Sequence, residues 1–424
     1  MEQHPVRLVL ADDLRRSRLT VFFRLLLSLP HVIWFLLWAL LVPFAAVPNW
    51  LFMLVAGRPA KPLHRFLAAY VRYSTHLASY LLLAGNLFPG FTGKPGYPVD
   101  VTLEPPLRQG RWRTLLRGLL ALPALMLSLS LAALGAFGLF TGLWLIVGSL
   151  AVTCGFLAWF AALALGRIPR GLRDLIAYGI GYSGQTYAYL FLLTDRYPSA
   201  DPERLGAAWE LPDHPVRLEL VDDGRRSRLT VFFRLLVALP HIVWATLWGV
   251  LALLAALVNG LVTLIRGRSA ISLHRFLTAY VRYSAHLTAF VCLVANPFPG
   301  FTGARGYPVD VSIGASERQS RWITLFRVFL ALPALFVASA FGGALFLVAL
   351  LGWFAALVMG RMPLGLRNLG ALAIRYLAQV NAYWLVVTDH YPYAGPALRP
   401  PAPRDEDATL APPAHPPDAE AAAA

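Results

Sequence analysis

The chain alternates between short stretches of period-two polarity and long apolar runs. Val6–Leu10 and Val99–Leu103 place apolar and polar residues at alternating positions directly after a proline, which predicts short β-strands. Leu25–Val42 and Leu119–Leu165 are apolar over lengths that cross or enter a bilayer as helices. Because a lone strand of this size is unstable in water, we expect the strands to pair into a small sheet at the membrane surface.

The pattern repeats because the sequence is duplicated twice. Residues 4–31 and 214–241 are identical at 23 of 28 positions, with an offset of 210. Each half is again a pair of units, since HPVRLVL at residue 4 corresponds to YPVDVTL at residue 97. In the first half the offset of 93 becomes 109 beyond the apolar run, so the second unit carries 16 additional residues around Gly135–Gly148. Internal repeats of this kind predict that the fold is built from repeated structural units.

We divide the chain into four units, a linker and a tail. The units cover residues 4–93, 97–199, 214–303 and 307–394, the linker covers 199–213, and the tail covers 395–424. The tail is rich in proline, alanine and acidic residues, a composition that predicts disorder.

Motifs in the second part of each unit resemble a known family. They read GRIPRGLRDL (166–175) with TDRYP (194–198), and GRMPLGLRNL (360–369) with TDHYP (388–392). Together with the preceding strand and apolar run, they resemble the bacterial membrane family of domain of unknown function 4389, present here in four tandem copies. Units one and three depart from the pattern, with Asn86 and Asn296 in place of the aspartate. The resemblance implies a membrane protein and no particular activity.

The apolar run of unit one, about 32 residues from Leu25 to Ala56, is too long for one crossing and too short for two. Basic residues flank both ends, which the positive-inside rule places in the cytoplasm. Pro43 and Pro48 interrupt the middle, where the additional residues of unit two also fall. These features predict a hydrophobic helical hairpin in each unit, and parallel units related by an axis along the membrane normal.

A second helical segment follows the apolar run. In Leu63–Leu87, one side of the helix at 100° per residue carries His64, Arg65, Arg72 and His76, and apolar residues fill other directions. This pattern predicts an amphipathic helix in the membrane–water interface, with its basic side toward headgroups. The counterpart Leu172–Leu193 is mostly uncharged, which leaves a spanning helix as the alternative. The predicted fold class is therefore an all-α integral membrane protein of four tandem units, each with a short β-strand, a hydrophobic helical hairpin and an amphipathic interfacial helix.

Composition favours the membrane class and argues against several others. Apolar residues make up 58% and charged residues 14%, whereas soluble domains carry about 25% charged residues. The net charge of +15 comes from arginines at the ends of apolar runs, so we expect no nucleic-acid partner. Cys154 and Cys292 occupy non-equivalent positions in apolar stretches, which predicts packing roles. The sequence has no HExxH, GxSxG or Walker motif, so we expect no enzyme, cofactor or metal site.

Repeated arginines form the first set of candidate site residues. One arginine follows a glycine at the end of each apolar run: Arg58, Arg167, Arg268 and Arg361. Each is either a contact for an anionic lipid headgroup, contributing on the order of 1 kcal/mol, or a snorkelling anchor that fixes depth. A second set lies one turn inside each run and is expected to act as anchors too: Arg24, Arg117, Arg234 and Arg327.

Histidines form the other candidate set. His31 and His241 follow Leu-Pro inside apolar runs, and a polar residue at membrane depth is a candidate functional group. The alternative is structural, with the imidazole satisfying a backbone carbonyl that Pro30 leaves free. His76 and His286 complete the histidines of the odd-numbered units, where we expect any function beyond architecture.

These observations predict a bacterial inner-membrane protein, multi-pass with cytoplasmic termini, that acts as a non-enzymatic scaffold or binds lipid headgroups. Its expected partners are membrane lipids with anionic headgroups, and the sequence leaves protein partners open. A channel or transporter built from the repeats is the alternative. The apolar runs contain no Asp or Glu, although a proton-coupled transporter usually needs one.

Overall fold

The computed structural model describes residues 4–103, 105, 108–132, 148–207 and 209–398. The elements are β1 (Arg7–Leu10), α1 (Arg18–Ala56), α2 (Lys61–Leu81), β2 (Val99–Thr102), α3 (Arg111–Leu115), α4 (Arg117–Leu131), α5 (Leu150–Leu165), α6 (Arg170–Leu190), a 3₁₀ turn (Pro202–Arg204), β3 (Val216–Leu220), α7 (Arg228–Phe232), α8 (Arg234–Arg266), α9 (Ile271–Val291), β4 (Val309–Ile313), α10 (Arg321–Met359) and α11 (Leu364–Trp384). The predominantly helical fold is as predicted. We call α1, α8 and α10 the long helices, with α3–α5 in the same place in unit two, and α2, α6, α9 and α11 the inner helices.

The predicted hydrophobic hairpin is wrong wherever the middle of the run is described. Helices α1 and α10 each continue for 39 residues, about 58 Å, and in unit three only Phe233 separates α7 from α8. Pro43 and Pro48 lie inside α1. A turn there would leave several backbone groups unpaired among apolar side chains, whereas a proline removes one hydrogen bond. The predicted tip in unit two falls mostly on residues 133–147, outside the described residues.

The long helix α1 touches the rest of the protein along one narrow stripe. The buried residues of α1 recur every three or four positions: Val21, Arg24, Ser28, His31, Phe35, Val42, Ala45, Asn49 and Met53. Around this stripe, large apolar side chains are exposed from Leu19 to Val55. In the part of the chain that the structure describes, three helices, α1, α8 and α10, are long and apolar enough to cross a membrane.

The inner helices form the centre of each half, so the predicted interfacial helix is wrong. His64 and His76 of α2 are buried, and His76 bonds a strand carboxylate, Asp100. The counterpart α6, for which a spanning helix was the alternative, is buried along most of its length. An amphipathic pattern records only that one side of a helix meets polar groups, and here those groups belong to the protein.

The predicted strands form two separate two-stranded antiparallel sheets within the described residues, β1 with β2 and β3 with β4. In the first sheet Leu8 lies opposite Val101. These two residues are equivalent, because strand positions in units one and two differ by 93. A pseudo-two-fold axis therefore passes between them, and the same relation holds for Leu218 and Val311 in the second sheet.

The axis continues through the inner helices. Thr75 of α2 and Gly184 of α6 are equivalent at the offset of 109, and they meet where these helices cross. A Cβ atom built on Gly184 would lie 3.8 Å from Thr75 Oγ1, an ordinary contact, and 3.0 Å from Val101 Cγ1 of β2, so the strand leaves little room for a larger residue here. The helices run antiparallel, since Tyr70, which precedes Thr75, packs against Phe191, which follows Gly184 at the end of α6. The axis is thus perpendicular to both inner helices and to the sheet.

Candidate functional site

Every inner helix ends in the same strained conformation. A non-glycine residue with positive φ follows each helix: Leu83 (68°), Leu192 (61°), Leu293 (62°) and Val386 (60°). Side chains rarely adopt this left-handed region, and each instance costs of order 1–3 kcal/mol unless the surroundings enforce it. The repetition in all four units shows that the local fold holds these ends in place.

Buried arginines supply the enforcing contacts. Arg24 Nη1 donates to the carbonyl oxygens of Tyr80 (2.6 Å) and Gly85 (3.1 Å), and Nη2 donates to Asn86 Oδ1 (3.2 Å). The guanidinium also lies 4.3 Å from the centre of the Tyr80 ring. The Arg24 side chain is 1% exposed, so these oxygens and the Tyr80 ring replace water around its charge. The hydrogen bonds cap the carbonyl end of α2, where a cation is favoured by the helix dipole.

The equivalent arginines of the other units do the same. Arg117, Arg234 and Arg327 are buried and lie over aromatic rings at the ends of α6, α9 and α11. The prediction that these four residues anchor the protein at a membrane depth is therefore wrong. Their charge is used inside the protein. The sequence signal was that an arginine recurs at the equivalent position of all four units, six residues before the proline that follows Leu29, Leu122, Leu239 or Leu332, which hydropathy reasoning did not weigh.

The difference between odd and even units follows from these caps. In unit one, Asn86 accepts from Arg24, and Arg16 donates to the carbonyls of Leu83 (2.9 Å) and Ala84 (3.3 Å). In unit two, Gln109 replaces Arg16 and itself accepts a hydrogen bond from Arg117. The side-chain amide that accepts a hydrogen bond from the capping arginine is thus Asn86, after the inner helix, in unit one and Gln109, before the long helix, in unit two. This exchange explains the asparagine in units one and three.

His31 and His241 are buried between a long helix and an inner helix. His31 Nδ1 is 2.9 Å from the hydroxyl of Tyr73, which also donates to the His31 carbonyl at 3.1 Å. The ring stacks on Phe91 at 4.1 Å between centroids, and the other nitrogen, Nε2, is buried without a hydrogen-bond partner among the described residues. His241 makes the matching contact with the Tyr283 hydroxyl, also 2.9 Å. The imidazole thus joins a long helix to an inner helix through a tyrosine, not through a carbonyl freed by Pro30.

A histidine–aspartate pair joins each sheet to an inner helix. His286 Nε2 lies 2.9 Å from Asp310 Oδ1, and the Arg282 Nε atom is 3.6 Å from the same oxygen. Burial would raise the pKa of Asp310, but hydrogen bonds from Gly306, His286 and Val311 hold that pKa below its ordinary value. For His286, burial outweighs the carboxylate and lowers the pKa of the imidazole.

The first half repeats this pair, with His76 Nε2 at 2.8 Å from Asp100 Oδ1. Beside the second pair is an open surface cavity of about 450 Å³, lined by Glu219, Arg305, Tyr307 and Asp310 among others. Within the described residues, no group of three or more His, Cys, Asp and Glu side chains is placed to hold a metal ion.

The predicted Gly-Arg residues lie at the corners between long and inner helices. Each follows a glycine in the left-handed conformation that ends its long helix, and each is exposed: Arg58, Arg167, Arg268 and Arg361. The neighbouring unit binds each corner through the backbone. Arg16 N donates to Gly166 O (2.9 Å), and the equivalent Gln109 N donates to Gly57 O (3.2 Å). The two units of a half therefore hold each other's corners reciprocally.

The structure does not bring the predicted site residues into one cluster. The corner arginines are exposed, whereas His31 and His241 are buried beneath aromatic rings. Every contact described above for a buried arginine or histidine connects secondary-structure elements. The arrangement therefore provides rigid helix ends and four exposed cationic corners.

The chain belongs to the family described as domain of unknown function (DUF4389). The family model matches residues 18–92, 139–200, 228–302 and 321–394, which together cover more than half of the chain. The four tandem copies inferred from the motifs are confirmed. No curated protein and no solved structure matched in the corresponding comparisons.

Proposed function

We propose that the protein is a non-enzymatic membrane scaffold that holds anionic lipid headgroups at its four corner arginines. The observation that carries the proposal is the fourfold repetition of one arrangement. An exposed apolar helix ends at a left-handed glycine, and an exposed arginine follows it: Arg58, Arg167, Arg268 and Arg361.

The charge of these arginines is available to an external anion. None of them takes part in an ion pair among the described residues. A guanidinium binds phosphate oxygens in bidentate geometry, and each contact near an anionic surface contributes about 1 kcal/mol. Four such contacts would contribute about 4 kcal/mol at most, and salt would weaken them.

A scaffold role fits the use made of the buried polar groups. The capping arginines, the histidine–tyrosine contacts and the histidine–aspartate pairs all fasten one element to another. A transport role would require a path for substrate. Substrate flux through liposomes that contain the purified protein, abolished by His31 or Arg58 substitution, would contradict the scaffold proposal.

The direct test removes the corner charges. We would purify the full chain in neutral detergent, add short-chain phosphatidylglycerol or phosphatidylcholine, and measure the midpoint of thermal unfolding. Ligand binding to the folded state raises this midpoint. The quadruple variant replaces each corner arginine with glutamine: Arg58→Gln, Arg167→Gln, Arg268→Gln and Arg361→Gln.

The matched control removes the same charge from exposed arginines elsewhere: Arg7→Gln, Arg65→Gln, Arg217→Gln and Arg275→Gln. We expect phosphatidylglycerol to stabilise the native protein and the control more than phosphatidylcholine does, and the quadruple variant to lose this preference. An equal phosphatidylglycerol preference in all three proteins would refute headgroup binding at the corners.

A further inference from the structure

The long helices run alongside the inner helices. Contacts between α1 and α2 advance along one helix as they go back along the other. Arg24 lies over the ring of Tyr80, and His31 contacts Tyr73. Trp38 with Phe66 continues the series at a centroid distance of 5.8 Å. Helix α1 is therefore antiparallel to α2, and like α2 it lies across the pseudo-two-fold axis.

The axis also relates the long helices of each half as an oppositely directed pair. At one end, Arg18 near the start of α1 donates to Ala164 O near the end of α5. At the other end, Arg111 at the start of α3 donates to Val55 O near the end of α1. The second half repeats both contacts, from Arg228 to Val358 O and from Arg321 to Ile265 O.

This symmetry leaves two ways to place a half in a bilayer. If the oppositely directed long helices crossed the membrane, the axis that exchanges them would lie in the membrane plane at mid-depth. The sheet sits on that axis, so its outer face would also lie at mid-depth. Arg7, Arg217 and Glu219 are exposed on the strands of the two sheets, and a charge at the bilayer centre costs about 3 kcal/mol or more.

Length argues in the same direction. Exposed large apolar side chains extend from Leu19 to Val55 on α1 and from Trp322 to Met359 on α10. A helix of 39 residues is about 58 Å long, against a hydrocarbon core of about 30 Å. Crossing at the usual tilts of up to about 40° would leave apolar residues in water at the helix ends. A helix lying in the plane keeps its whole apolar surface in lipid.

The two halves contact each other reciprocally as well. Gly365 of α11 packs against Ala200, and the equivalent Gly171 of α6 packs against Gly395. These segments lie on the sheet side of the inner helices, because Gln185 bonds both Ser199 N and Val6 O. Beyond the 16 additional residues of unit two, equivalent positions of units two and four differ by 194. A second pseudo-two-fold therefore relates the halves and passes between these two contacts.

We infer that the protein is monotopic, with its long helices in the plane of one leaflet and both charged sheets in the water above it. The occupant of the exposed apolar surface is then the acyl chains of that leaflet. This inference rests on the membrane association in the proposed function but not on headgroup binding by the corner arginines. Amphipathic elements that lie on a membrane in this way are held by buried apolar area and surface charge.

Single-cysteine variants measure the orientation. In a Cys154→Ala, Cys292→Ala background reconstituted in liposomes, we would place a spin label at Leu19, Phe44 or Val55, which are 71%, 74% and 79% exposed. Oxygen and a water-soluble nickel chelate then report depth. The in-plane arrangement predicts similar depth at all three positions. Depth that passes from one surface through the bilayer centre to the other would overturn the inference.

Labelling by a membrane-impermeant maleimide supplies the second readout. Cysteines at Arg7 and Arg217 report the two sheets, and cysteines at Leu229 and Ile265 report the ends of one long helix. In sealed vesicles that hold the protein in one orientation, the reagent should label the cysteines of both sheets from the same side of the membrane. From the opposite side it should label neither cysteine at the helix ends. Opposite-side labelling at Leu229 and Ile265 would establish a crossing helix.

Two controls keep the outcomes distinct. Detergent-lysed vesicles confirm that every cysteine is reactive, and size-exclusion chromatography confirms that each variant is folded. Full labelling of Phe44 by the impermeant reagent in intact vesicles would show that the helices are outside lipid, which contradicts both this inference and the proposed function. Loss of phosphatidylglycerol preference leaves the depth measurement unaffected, so the two proposals fail separately.

Discussion

The capping arginines allow a sharp test, because one of them can be removed without changing the exposed surface. Replacing Arg24 with methionine keeps much of the side-chain volume and deletes the guanidinium. The carbonyl of Gly85 then loses its arginine donor, and that of Tyr80 keeps the amide of Leu83. Asn86 loses its partner as well. The positive φ of Leu83, 68°, is then held at the carbonyl side by Arg16 alone, through the oxygens of Leu83 and Ala84.

The magnitude follows from these losses. An unsatisfied buried carbonyl costs about 1–3 kcal/mol, and the contact of the guanidinium with the Tyr80 ring contributes about 1–2 kcal/mol. Against these losses, methionine avoids the desolvation of a charge, which offsets part of the sum. We expect Arg24→Met to reduce the free energy of unfolding by about 2–4 kcal/mol.

The assay is reversible unfolding of the purified protein in mixed detergent micelles, followed by far-UV circular dichroism. Arg18→Met is the matched control, since Arg18 lies on the same helix and is exposed, although it also bonds a carbonyl, that of Ala164. We expect the control to change the free energy by less than about 0.5 kcal/mol. Equal effects of the two substitutions would refute the view that buried caps hold the inner helix ends.

Three further predictions concern the inner helices. Val386→Gly should lower the midpoint of thermal unfolding less than Val387→Gly does, because both valines are buried but only at Val386, with a φ of 60°, does glycine also relieve strain; equal losses would contradict strain at this end. Gly184→Val should lower the midpoint, since a Cβ there already approaches Val101 Cγ1 of β2 at 3.0 Å; unchanged stability would mean that the packing of α6 on the sheet is loose. Because the folded protein lowers the pKa of His286 from 6.5, the unfolded chain binds its proton first, and stability should fall as pH drops below about 6.5. His286→Gln, which introduces the residue found at the equivalent Gln379, should flatten that slope in pH-dependent unfolding, and an unchanged slope would exclude His286 as its source.

The sequence predicted the repeats, the strands and the apolar helices because each leaves a local pattern. It did not predict how the long helix continues past Pro43 and Pro48, because local propensity ranks proline as a breaker. In an apolar setting, a turn exposes more unpaired backbone than a proline does. The helix therefore continues across both prolines.

The burial of the amphipathic helices was missed for a related reason. The polar side of α2 meets the sheet, where His76 bonds Asp100, and not lipid headgroups. Periodicity identifies the side of a helix that is polar but not the group that covers it. The capping role of Arg24 was missed because its partners are the backbone carbonyls of Tyr80 and Gly85, which the sequence of side chains does not show.

The reciprocal binding of the Gly-Arg corners has a consequence for ancestry and design. Within a half, each unit supplies one strand of the sheet, and each binds the other's corner, through Arg16 to Gly166 and Gln109 to Gly57. One unit expressed alone would have an unpaired strand edge and an open corner, so it should assemble as a homodimer. The present half is such a dimer on one chain, and covalent linkage let its two members specialise, with His76 on one side of the axis and Gln185 on the other.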